Sequence, residues 1–289
     1  MKCAAVRRHR WQISLSVRGQ RQHENITESL PVTQMKKAVQ IIVNNAGGIG
    51  AYDDEARYKE FFGRLIGGAW NPREILPTLV EPSRFRVIER LKKIKALGID
   101  YLVLVFSGHG GMSKDEENTT LCLKGRGGNK MYEILDVELC NYIPRQLIIL
   151  DCCRVRQKNS LVDFLSRPRG LIKEANSSCL TRMCVRAAYE RAIEATEDGN
   201  LLVYACAPGK STTGADREGG VFSNYLKSKF WISRSTPLHC ANIFTISESL
   251  SSISNLPRLN SPTVRYSDDS LLNLPWMVMD DKFVCNRIC

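Results

Sequence analysis

Two uninterrupted apolar runs constrain the fold more than anything else in the chain: Tyr101-Leu-Val-Leu-Val-Phe-Ser-Gly-His109-Gly and Gln146-Leu-Ile-Ile-Leu-Asp151-Cys-Cys153-Arg154. Each is of strand length and rich in Val, Ile and Leu, the pattern of a strand buried on both faces of a parallel sheet. Each stops abruptly at a reactive side chain. In an open α/β sheet chemistry collects at the carboxyl ends of the strands, so the two runs predict His109 and a cysteine at one shared edge. That pairing suggests a thiol nucleophile and its proton acceptor, with Cys152 and Cys153 both eligible as the nucleophile.

The neighbouring segments supply the rest of such a sheet. Ala38–Val43 reads as a first strand, and the stretch from Asp54 to Leu65 as a helix with Tyr58, Phe61, Phe62 and Leu65 on one face. A second helix, Pro82–Leu97, places Phe85, Ile88, Leu91 and Ile94 at helical spacing. Leu201–Ala207 is another buried strand, ended by Pro208-Gly209, and Gly220-Val-Phe begins a helix. Ile243, Ile246, Leu250 and Ile253 mark a further amphipathic helix, and Pro262–Tyr266 leads to a short last strand. The expected class is α/β, a mostly parallel central sheet flanked by helices on both faces.

Charge divides the chain. Residues 1–35 carry Arg7, Arg8, Arg10, Arg18 and Arg21 with no acid before Glu24, a bias that loosely resembles an organellar transit peptide and otherwise describes a disordered extension. From Arg154 to Arg191 nine Lys and Arg face only Asp163, Glu174 and Glu190, with Pro168 and Gly170 as breaks. The expected organisation is a basic extension (1–35), a larger catalytic part (36–158), an exposed basic connector (159–198) and a smaller part (199–289) completing the same sheet.

The net charge of +11 is spread over several regions rather than gathered in one aromatic-interleaved stripe, so no nucleic-acid partner is expected. No apolar run approaches the roughly 18–20 residues of a membrane span, so no membrane partner is expected either. Eleven cysteines, an odd number without framework spacing, fit a reducing compartment and a cytoplasmic location.

Ser107-Gly-His109-Gly, then Leu150-Asp-Cys-Cys153-Arg154, then Tyr204-Ala-Cys-Ala-Pro-Gly209 followed by Gly220-Val-Phe resemble, in this order and spacing, the caspase-like cysteine peptidases: caspases, metacaspases and paracaspases. The resemblance runs from about Lys36 to the end, and Leu-Asp-x-Cys-Arg is nearest to paracaspases. It implies the larger and smaller parts above and selects Cys153, the residue directly before Arg154, as the nucleophile. Cys152 is left as packing.

A thiol needs a neighbouring base to supply thiolate at neutral pH, the role implied for His109. The resemblance also implies an oxyanion hole from the amides of Gly110 and Cys153. Asp151 stands where caspases that cleave after Asp carry Gln. In paracaspases the corresponding Asp lines a pocket for Arg, helped by a second Asp that aligns with Asp54. Cleavage after Arg or Lys is therefore expected, although Asp54 equally suits a helix N-cap. A third paracaspase acid is replaced by Ser211, with Asp216 and Glu218 nearby.

Polypeptides are the implied substrates, and Arg167, Arg169, Lys173, Arg182 and Arg186 are candidate self-cleavage positions. No cofactor is expected. The family's calcium activation and homodimerisation stay open, and the acids at Asp115–Glu117 read as a solvated loop.

Rival readings fit less well. Asn44-Asn-Ala-Gly47 with Tyr225-x-x-x-Lys229 resembles the short-chain dehydrogenases, but the pair lies far too distant and no Gly-rich fingerprint follows an early strand. Gly209-Lys-Ser-Thr212 lacks the first Gly of a phosphate loop. A metal site from His109, Cys152, Cys153 and Cys206 is disfavoured because adjacent residues at a strand tip point to opposite faces. The leading alternative is a catalytically silent caspase-like scaffold acting through protein–protein contacts.

Overall fold

The computed structural model describes residues 35–44, 50–115, 117–124, 131–155, 182–211, 214–215, 219–220, 242–245, 263–266 and 274–279. In chain order the elements are β1 (Lys37–Asn44), α1 (Ala51–Gly63), β2 (Leu79–Val80), α2 (Arg84–Ala96), β3 (Tyr101–Gly108), β4 (Gly110–Met112), β5 (Thr119–Lys124), β6 (Met131–Leu135), β7 (Arg145–Asp151), α3 (Arg182–Glu194), β8 (Gly199–Tyr204), β9 (Gly214–Ala215), β10 (Gly219–Gly220), β11 (Asn242–Thr245), β12 (Thr263–Tyr266) and β13 (Pro275–Met279).

Six strands form one sheet in the order β12-β8-β7-β3-β1-β2. Every pairing in it is parallel except that of the edge strand β12 with β8. The uninterrupted apolar strands supply two cores at once, because successive side chains leave opposite faces. Val39, Ile41, Val103, Val105, Leu147, Ile149, Leu201 and Val203 pack with α1 and α3. Ala38, Ile42, Leu102, Leu104, Ile148, Leu150 and Leu202 pack with α2. The expected mostly parallel, two-sided α/β sheet is therefore what the chain forms.

The helices obey their local signals with one displacement. Ser83 caps α2 by accepting the Arg86 amide, and Lys93 and Lys95 complement its carboxyl end. For α1 the cap is Gly50, at φ 79° where a side chain is disfavoured, so the helix starts before Asp54 and Asp54 is not its N-cap.

Helix α3 corrects the reading of 159–198 as exposed connector over its last third: Val185, Tyr189 and Ile193 are fully buried against the sheet. Arg182 donates to the Gly63 and Trp70 carbonyls, and Arg186 pairs with Glu74 at 2.6 Å, so neither is a free side chain on a loop. Arg167, Arg169 and Lys173 lie outside the described residues.

The opposite end of the same helix holds a buried cation. Lys37, at the start of β1, lies 2.9 Å from Glu190, with its ammonium 4.9 Å from the centre of the Trp70 ring. Burial pulls its pKa below the usual range, an effect that Glu190 partly offsets.

Two further expectations are corrected at their first residues for the same reason, the ambiguity of short windows. Ile243, the first marker of an expected amphipathic helix, lies in β11, which pairs antiparallel with β13, while Ile246, Leu250 and Ile253 lie outside the described residues. Gly220, where a helix was expected to begin, pairs with Gly214, and the residues that would continue that helix lie outside the described residues. A three-stranded antiparallel sheet, β4-β5-β6, follows His109 and was not anticipated. Among the described residues, no helix is long and apolar enough to cross a membrane.

Candidate active site

Parallel pairing of β3 with β7 sets Ser107 opposite Asp151. His109 and Cys153 each follow two residues later, so they leave adjacent strands at matching heights on the carboxyl edge, and both are partly exposed. The loops that carry them touch. A Cβ on Gly110 would stand 2.6 Å from Cys152 Sγ and 2.9 Å from the Cys153 carbonyl oxygen, closer than any side chain tolerates. Only glycine permits this approach, which brings the backbone after His109 onto the backbone at Cys153. A second tie follows, with the Met112 amide donating to the Val155 carbonyl at 3.2 Å.

The adjacent thiols occupy different environments. Cys152 is fully buried, and burial pushes its pKa well up. Cys206, in the loop after β8, is pushed up to about 12, chiefly by burial, with Cys153 and Asp151 adding to the effect and Arg154 opposing it. Its thiol donates to the Lys210 carbonyl at 3.2 Å. Both are protonated packing groups at neutral pH, whereas Cys153 reaches solvent. Among the described residues, no cluster of three His, Cys, Asp or Glu side chains is arranged to hold a metal ion.

Asp151 and Asp54 are both buried, only 4% and 2% exposed. Asp54 projects from α1 and accepts the Ser107 hydroxyl at 2.7 Å, which places it beside the strand position opposite Asp151. The fully buried Tyr58 reports on both acids: burial first, then the charges of Asp151 and Asp54, drives its hydroxyl well above the usual pKa. The two carboxylates predicted from sequence thus share one neighbourhood, just before the cysteine. Ser211 is partly exposed at the end of the loop after β8, and Asp216 and Glu218 lie outside the described residues.

Sequence reasoning used Arg154 only to choose between two cysteines, and the structure gives it a larger part. Its guanidinium, 6% exposed, lies 3.9 Å over the Tyr204 ring and donates to Thr119 on β5 at 2.9 Å and Thr263 on β12 at 3.0 Å. Its backbone joins the loop after β8, donating to Lys210 at 2.9 Å and accepting from Gly209 at 2.7 Å. Tyr204 in turn donates to the buried Asp136 at 2.7 Å. The residue after Cys153 is a four-way staple. A charged residue placed directly after a buried run was the available signal.

The chain matches the family model described as the caspase domain over residues 85–255, more than half its length. It belongs to the caspase-domain family, a family of cysteine-peptidase type whose members act on polypeptides. Two crystal structures are similar: caspase-1 from Spodoptera frugiperda, at 10% identity and TM-score 0.46 over 80% of this chain and 87% of that one, and a structural-genomics target protein from Geobacter sulfurreducens, at 16% identity and TM-score 0.47 over 82% and 96%. A comparison with curated proteins gives no match.

Proposed function

We propose that the protein is a cysteine endopeptidase that cleaves after Arg or Lys, of the paracaspase-like kind. Cys153 attacks the scissile carbonyl. His109 takes the thiol proton and returns it to the leaving amine. The Gly110 and Cys153 amides hold the oxyanion, in a site where fixed donors cost no reorganisation. Asp151 and Asp54 receive the basic side chain, whose charge two desolvated carboxylates favour. A cytoplasmic setting and independence from bound cofactors belong to the same reading.

The observation that carries this reading is the Ser107–Asp151 register together with Gly110 pressed on Cys152 and Cys153, which sets the histidine loop, the cysteine loop and two buried carboxylates side by side. The test is cleavage of matched fluorogenic tetrapeptides ending in Arg, Lys or Asp by wild type and Cys153→Ala, with and without calcium. Release after Arg or Lys that vanishes in the variant supports dyad and pocket together. Release after Asp overturns the pocket and keeps the nucleophile; no release under any condition favours a scaffold.

A further inference from the structure

His109 is the single residue between strands of two different sheets. Strand β3 of the six-stranded sheet ends at Gly108, and β4 of the three-stranded sheet begins at Gly110. Where the imidazole stands relative to Cys153 therefore depends on how the small sheet is set against the large one. The side chain of His109 is partly exposed, so its aim depends on how firmly the backbone beneath it is held.

Asn44, the last residue of β1, holds that backbone from two directions. In the parallel register it stands beside Gly108, where a Cβ would lie 2.9 Å from the Asn44 carbonyl oxygen and 3.2 Å from the Asn44 Cβ. Gly108 is thus pressed on Asn44 as Gly110 is pressed on Cys152 and Cys153. The Asn44 side chain also crosses to the small sheet: Nδ2 donates to the Cys122 carbonyl at 2.6 Å, and the Cys122 amide donates to the His109 carbonyl at 2.9 Å. Asn44 and Cys122 are both buried, away from water that could take over these bonds.

The strand itself does not require an amide at this position. Ala38–Val43 is apolar apart from Gln40, and another Val or Ile would continue the run. A buried polar side chain costs free energy unless its hydrogen bonds are made, and here the bond reaches another sheet. Other ties of β5 lie at its two ends, where Thr119 accepts from Arg154 and the Lys124 amide donates to Pro82. The Asn44 bond falls on the residue that holds His109.

We infer that Asn44 is a positioning residue for His109: by joining the end of β1 to Cys122 it fixes the histidine loop at the height and angle at which the imidazole meets Cys153. The inference rests on the His109–Cys153 dyad proposed above, and Asn44 acts through the backbone rather than on the reacting atoms. Without its bond, β5 and the His109 carbonyl it holds are free to shift against the large sheet, with the Gly110 contact as the remaining anchor. A displacement on the order of 1 Å in a catalytic group costs up to about 100-fold in rate. The loss falls on the steps in which His109 exchanges a proton with the thiol or the leaving amine, so it appears in kcat and leaves KM in place.

The test compares wild type with two variants. Asn44→Leu keeps branched bulk against Gly108 and removes the donor; Asn44→Ala removes both, and Asn44→Leu carries the decision if Asn44→Ala does not fold. Asn200→Ala is the matched control, because Asn200 is also a buried strand asparagine, donating to Asn141 at 2.7 Å, but at the opposite end of the sheet. Three quantities are measured: stability in urea, kcat and KM on an Arg-ending peptide, and the rate of Cys153 alkylation by iodoacetamide at pH 7, with His109→Ala as its reference. Both Asn44 variants should lose about 10- to 100-fold in kcat with KM within about twofold. Their alkylation rate should fall about tenfold, towards that of His109→Ala, because a displaced imidazole supplies less thiolate. Asn200→Ala should lose stability alone. Asn44 variants that lose stability while kcat and alkylation stay at wild-type values overturn the inference and leave Asn44 a strand-end bond. Alkylation that is equal in wild type and His109→Ala overturns the dyad, and the inference with it. Alkylation that falls in the Asn44 variants of a protein that cleaves no peptide keeps the positioning role and overturns the substrate reading alone.

Discussion

Cys152 and Cys153 are chemically identical and one residue apart, yet they meet opposite surroundings, because consecutive side chains at a strand end leave opposite faces. Cys152 packs under Gly110 with its thiol pushed up by burial, and Cys206 and Cys122 are buried around it. Only thiolate reacts with alkylating agents, so exposure and pKa act in the same direction here. Brief iodoacetamide treatment of the native protein at pH 7.5, read by peptide mass spectrometry, should label Cys153 before Cys152, Cys206 and Cys122. Equal labelling of the four would mean that the packing around Gly110 is absent in solution. The positions of His109, Asp151 and Cys153 at strand ends were legible in the sequence because continuous apolar runs announce where strands stop. The partners Ser107 and Thr119 were not, since the bonds that give them meaning span 53 residues to Asp54 and 35 to Arg154. That Asp54 lies inside the helix rather than capping it was not legible, because Gly50 in the left-handed region starts the helix earlier.

At the scale of elements, α3 shows how charge conceals a helix. Composition from Arg154 to Arg191 is basic enough to read as connector, while Val185, Tyr189 and Ile193, spaced by four, form the stripe that a period search would find. The short strands β4–β6 and β11 escaped for the opposite reason, since three to six residues carry too little periodicity to separate strand from turn or helix.

The basic residues of α3 do more than coat it. Arg186 holds both Glu74 oxygens at 2.6 and 2.7 Å, fastening the segment that follows α1 to the helix. Burial alone would raise the Glu74 carboxyl; the hydrogen bonds from Arg186 and the Asn71 amide, with the charges of Lys37 and Arg186, outweigh it and leave Glu74 below its usual 4.5. A depressed folded-state pKa contributes stability that is present above the unfolded value and lost as pH falls through the folded one. Arg186→Ala should therefore cost about 1–3 kcal/mol in urea unfolding at pH 7, as expected for a half-buried, bidentate pair. The gap from wild type should close below pH 4.5. A gap that stays constant with pH would show that Arg186 stabilises by packing alone.

Taken whole, the molecule places the edge that carries His109 and Cys153 on a seam. Strand β7, which leads to Cys153, and strand β8 are neighbours in six register pairs, with α3 lying between them in the chain. Arg154 crosses the seam with its backbone bonds to Lys210 and Gly209 and its side chain on Tyr204 and Thr263. On the far side lie α3, with three fully buried apolar residues, and the edge strand β12. Burying each such side chain contributes about 1.5–3 kcal/mol, and those contributions do not depend on a covalent link between residues 158 and 159. Loop closure by that link is an entropic term of a few kcal/mol, smaller than the interface it joins. A chain divided there should hold together. Co-expressed fragments 36–158 and 159–289 are expected to co-purify as a one-to-one complex, and Arg154→Met in the first should weaken that complex at least tenfold, because Thr119, Thr263 and the Tyr204 ring lose their shared partner. Fragment 36–158 folding alone as a stable, monodisperse monomer would contradict the shared sheet. A stable complex would mean that cutting the connector leaves Cys153 and the loop after β8 in register.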